Sequence, residues 1–169
     1  MRRAKMVGAV LALFVALSGT PAGAGEPLES EAAFSKLSAL AGSWKRAGSD
    51  GIAFRIDFEL TANDSVLVER WVHRDKTHSL TIYHRDGPTL MATHYCPQGN
   101  QPRLRMESGG DENRISFDFH DATNLNSSDQ SHQHRLSFDL ADMGQVIRGE
   151  AYRQGETSKE SEMALVRIP

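Results

Sequence analysis

The chain has 169 residues and a net charge of −3 at pH 7, a length suited to one domain that buries about two thirds of its unfolded surface. Its cations are scattered, with no basic stripe, which argues against nucleic acid or an anionic membrane as a partner. Cys96 is the only cysteine, so no intrachain disulfide braces the fold and stability has to come from packing.

Residues 1–24 read as an export signal. Arg2, Arg3 and Lys5 precede an apolar run from Met6 to Leu17 and the small-residue cleavage site Ala22-Gly23-Ala24. The run is too short to span a bilayer and no second apolar stretch follows it, so the expectation is an exported chain with no integral membrane segment after cleavage. Loss of the three cations would take the net charge from −3 to −6. Residues 25–169 then form a single domain.

Residues 28–41 carry the helical pattern, with Phe34, Leu37, Leu40 and Ala41 spaced by three and four and Gly42 placed to end it. From Trp44 onward the period falls to two. Ile52, Phe54, Ile56, Phe58 and Leu60 alternate with Ala53, Arg55, Asp57 and Glu59, as a strand with one wet and one dry face does. Ile115, Phe117 and Phe119 repeat the pattern, and so do Leu136, Phe138 and Leu140, with His134 in the same parity.

Further strands are expected near 65–73, 78–85, 89–96, 103–107, 145–153 and 162–168, separated by turn pairs such as Asp86-Gly87 and Met143-Gly144. The pattern predicts an all-β fold: an antiparallel up-and-down barrel of about ten strands with a short N-terminal helix. Residues 121–133 form a polar connection long for a hairpin, read either as a lid over the open end or as merely mobile.

Alternating connections bring six of the seven histidines to one rim: His73, His78, His94, His120, His132 and His134. Closing the second hairpin over residues 61–64 pairs Leu60 with Ser65, Phe58 with Leu67, Ile56 with Glu69 and Phe54 with Trp71, which turns Glu69 and Trp71 inward and Arg70 outward; a one-residue slip exchanges them. Either way one charge faces the interior, where it needs an ion partner, water or a ligand. The hairpin at Asp86-Gly87 puts Tyr83, Leu90, Ala92 and His94 on one face and Ile82, Met91, Thr93 and Tyr95 on the other, with the inner face left open.

Asn100 and Gln101, in the turn from Cys96 to Pro102, could fix a ligand's polar end or serve only the turn. His94 and Cys96 could begin a metal site with His120 or His134, although the bland reading of Cys96 is a small buried hydrophobe. The sequence contains no GxSxG elbow, HExxH, paired CxxC or calcium-loop spacing. No catalytic residue, metal site or cofactor is therefore assigned.

Gly42-Ser43-Trp44 after a short helix resembles the G-x-W that opens the first strand of lipocalins, and Arg167 resembles the basic residue that packs over that Trp. The chain is similar to the calycin group of lipocalins, fatty-acid-binding proteins and nitrobindin-type barrels. The stretch from His84-Arg85-Asp86-Gly87 through Thr93-His94-Tyr95-Cys96 to Gly99-Asn100-Gln101-Pro102-Arg103, with Asp121-Ala122-Thr123-Asn124-Leu125, resembles exported bacterial lipocalin-like proteins of uncharacterised activity. Haem-binding nitrobindin-type barrels use a proximal His near the C-terminus, whereas the last His here is His134.

The resulting expectation is an exported barrel holding a small, partly apolar ligand. Phe54, Ile56, Phe58, Phe117, Phe119 and Phe138 would line the interior together with Trp71, and Glu69 or Arg70, His94, Asn100, Gln101, Asn124 and His134 would give polar recognition near the rim. Two rivals stand beside it: an enzyme using His94 and Glu69 as acid and base, and a protein-interaction module with a filled core.

Overall fold

The computed structural model describes residues 29–109, 111 and 113–169; the expected export signal at residues 1–24 lies outside them. The helix α1 (Glu29–Ser38) is followed by ten strands: β1 (Gly42–Arg46), β2 (Phe54–Thr61), β3 (Val66–His73), β4 (Lys76–Asp86), β5 (Thr89–Tyr95), β6 (Gln101–Met106), β7 (Arg114–Thr123), β8 (His132–Asp139), β9 (Val146–Gln154) and β10 (Thr157–Arg167). Each strand pairs antiparallel with its chain neighbours, and β1 pairs with β10 to close the barrel. Closure leaves no open sheet edge. No described helix is long and apolar enough to cross a membrane.

The helix stoppers the end opposite the histidines. Phe34, Leu37 and Leu40 enter the core, Ser30 Oγ donates to Gly87 O at 2.9 Å and the Gly109 amide donates to Glu29. Trp44 is fully buried and donates its indole N–H to Leu40 O at 2.7 Å. Arg167 lies over its ring at 4.5 Å and donates to the carbonyls of Ala39 and Ala41. Backbone amides of Ala39, Leu40 and Ala41 close the helix end on the carbonyls of Lys36, Leu37 and Ser38, and Trp44 and Arg167 bond the three carbonyls of the turn that follows.

Two sequence expectations need correction in register. The second hairpin turns over Ala62, Asn63 and Asp64, all at positive φ, so that Thr61 faces Val66, Phe58 faces Glu69 and Ile56 faces Trp71. The shift is by two residues rather than one, and Glu69 and Trp71 remain inside. Strand β10 also starts earlier than expected. Its first half is exposed on both faces, so it carries no hydrophobic alternation, yet it pairs with β9 from Thr157 around Gly155.

The β4–β5 ambiguity resolves with Tyr83, Leu90, Ala92 and His94 buried inside. Register shifts interrupt three ladders, leaving His78 in β4, His120 in β7 and His134 in β8 as the extra residue in each. Such bulges re-aim side chains at barrel rims. At the bulge in β8, Gln133, opposite Tyr152, is fully buried, and His134 keeps its stack against Phe119, which packs on the core.

Candidate functional site

The open end holds a cup of about 600 Å³ lined by Arg46, Ser49, Asp50, Ala53, Phe54, Trp71, His73, His78 and Met163. Strand parity builds it. Arg46 stands two residues beyond the buried Trp44, and Phe54 pairs with His73 two residues beyond Trp71, so all point to the same side. The β1–β2 connection is fixed by Ser49 bonding back to Arg46 O and by Asp50 Oδ1 accepting the Ile52 amide. Ala53 O accepts the Arg74 amide, which ties that connection to the β3–β4 turn.

Rings form one wall in series. Phe54 and Trp71 meet edge to face with centroids 5.2 Å apart, Phe54 and His73 lie at 5.9 Å, and His73 and His78 at 6.2 Å. Trp71 also connects the cup to a buried polar cluster. Its indole N–H donates to Glu69 Oε1, which accepts Arg148 Nε at 2.9 Å as well, and Tyr83 O–H donates to Glu69 Oε2. Arg148 Nη1 reaches Glu150 at 2.8 Å, and its guanidinium packs on the Trp71 ring at 4.7 Å. Glu69 is wholly buried and Arg148 is 2% exposed.

Electrostatics follow from this burial. Burial opposes the charge on Arg148, but Glu69 and Glu150 outweigh it and hold the guanidinium protonated. Burial and then the Glu69 charge push the Tyr83 phenol well above its ordinary value. Beside the cluster, His94 contacts Thr81 Oγ1 through Nδ1 at 3.0 Å and the Tyr152 hydroxyl through Nε2 at 3.3 Å. Burial, reinforced by Arg148, lowers His94 to about 4, so its ring is neutral at pH 7.

Of the residues singled out from sequence, Phe54 and Trp71 line the cup. Glu69 stands beneath it, with both oxygens occupied. Arg70 faces outward and pairs with Glu59. Phe117 and Phe138 are fully buried against Tyr83 in the packed core. Asn100, also buried, donates to Ser131 O, while Gln101 Oε1 accepts from Thr123 and Asn124. These amides fasten neighbouring loops to each other. His134 stacks on Phe119 at 5.3 Å and touches His132.

Cys96 is buried, and burial raises its thiol above the ordinary value. Among the described residues no three His, Cys, Asp or Glu side chains gather as metal ligands.

Sequence reasoning placed His73 and His78 at the rim without assigning them to a pocket, and it missed Arg46 and Met163. The inward parity of Trp44 and Trp71, carried two residues further, would have found Arg46 and His73. His78 depends on a bulge and Met163 on the β9–β10 register, neither of which has a sequence mark.

The closed ten-strand antiparallel barrel with a short helix is consistent with a calycin-like architecture. No protein-family model matches the chain, and no curated protein matches it.

Proposed function

We propose that the chain is an exported, calycin-like binding protein that holds a small, partly apolar ligand in the cup at its histidine-rich end. The observation that carries this reading is the cup itself: about 600 Å³, within the size range of small-molecule sites, with mainly apolar walls and a few polar groups at the lip. The export pattern of residues 1–24 supports a role outside the cytoplasm.

Binding is favoured over catalysis because the acid and base candidates do not meet in the cup. Glu69 has its accepting oxygens filled by Trp71, Tyr83 and Arg148, and His94 is 2% exposed and does not line the cup. A general base needs reach to a substrate proton, and neither group has it.

The test is titration with the neutral fluorescent probe N-phenyl-1-naphthylamine. Saturable one-to-one binding is expected, and it should be lost in Ala53→Trp, which fills the cup from an exposed position. An absence of saturable binding, or binding unaffected by Ala53→Trp, would overturn the reading.

A further inference from the structure

We infer that the ligand suited to this cup is a compact aromatic anion, an arene carboxylate of one or two rings whose carboxylate meets Arg46 while its ring lies against Phe54 and Trp71. This rests on the binding reading above and adds the chemistry of what is bound.

Compactness follows from what lies below. Trp71 closes the floor, with buried Glu69, Arg148 and Tyr83 directly beneath it. The opposite end is stoppered by α1. A long alkyl chain would have no lumen to thread, whereas a flat ligand needs only the upper layer.

Aromatic character follows from the walls. Trp71, Phe54, His73 and His78 form a stepped series of tilted or edge-to-face rings, a geometry that a further ring continues with favourable quadrupole contacts.

The charge follows from Arg46. Its place on the inner face of β1, opposite buried Leu165, aims it into the mouth. Its guanidinium makes no hydrogen bond or ion pair among the described residues. A planar five-donor fork without a partner suits a carboxylate better than any neutral group. Asp50 is the one carboxylate lining the cup, and its Oδ1 is engaged by the Ile52 amide. Arg74 and Lys76 stand at the adjoining β3–β4 turn, where Asp75 is held by Arg55. Within the cup Arg46 and Asp50 balance in formal charge, and the further cations stand at the turn beside it.

The experiment is displacement of bound N-phenyl-1-naphthylamine by 2-naphthoate, 2-naphthylmethanol and decanoate, on the wild type and on Arg46→Gln. In the wild type, 2-naphthoate should displace the probe at a concentration at least about tenfold below that of the neutral alcohol, and also below decanoate. Arg46→Gln should bring naphthoate and alcohol together. Reading a ratio cancels any general change in affinity within the variant.

Equal or better displacement by the alcohol, better displacement by decanoate, an undiminished ratio in Arg46→Gln, or no displacement by naphthoate would each overturn the inference and leave the binding reading in place. Failure of the probe itself to bind would overturn both.

Discussion

Glu69 on β3 and Arg148 on β9 meet across the barrel interior at 2.9 Å, from strands separated by β2, β1 and β10 in the closed sheet. The contact is a cross-brace between opposite walls. It satisfies the interior charge on β3 with a partner 79 residues away, and it holds the indole that floors the cup.

Breaking that pair on one side should be costly, because the remaining charge stays buried. Glu69→Gln and Arg148→Met are each expected to lower stability by about 3–5 kcal/mol in urea unfolding at pH 7. The double variant Glu69→Leu with Arg148→Met should lie closer to wild type than either single change. An unfolding midpoint unchanged in Glu69→Gln would mean that the brace is idle.

His94 should make the protein acid-sensitive in a defined window. Its folded value of about 4 lies below the unfolded value near 6.5, so the unfolded chain takes up a proton first as pH falls. Its stabilising effect is complete above about pH 6.5 and declines toward pH 4, by at most about 1.4 kcal/mol per pH unit. The faces around the ring supply Arg148, Glu150 and His78. His94→Gln should flatten this part of the stability profile, and an NMR titration placing the His94 ring near 6.5 would contradict the account.

Arg167→Ala should cost about 1–2 kcal/mol, since it removes both a cation over Trp44 and two bonds to carbonyls of the turn that follows the helix. Arg167→Lys should fall between, keeping the charge without the fork. Gly42→Ala should destabilise through the same contact, because its φ is +129° and a Cβ there would stand 2.5 Å from Arg167 Nη1. Thermal unfolding of the three variants checks the ordering.

Export predicts that the chain recovered outside the cytoplasm begins at Gly25. Intact mass measurement on secreted or periplasmic material decides this, and a mass retaining residues 1–24 would contradict it.

Much of the barrel was legible because alternation is written directly into segments such as 54–60 and 115–119, where one face is dry. The inward charge on β3 was legible for the same reason: parity survived a register error of two. The cup was less so. His78 enters it from a bulge in β4, and a bulge depends on how two strands meet rather than on the residues of either. Asn100, Gln101 and Asn124 looked available because amides at a rim could face a ligand. Gln101 and Asn124 instead bond one another and nearby groups, visible only once β6 and β7 are side by side, and Asn100 donates to Ser131 O while its Oδ1 is buried without a partner.

The helix across the far end gives this molecule a single doorway. On the binding reading, a ligand that entered past Arg46 would leave past Arg46, so a donor and a recipient would use the same face by turns. Simultaneous engagement of both would be sterically contested. On the binding reading proposed above, exchange through that mouth would be sequential, one party departing before the next could arrive.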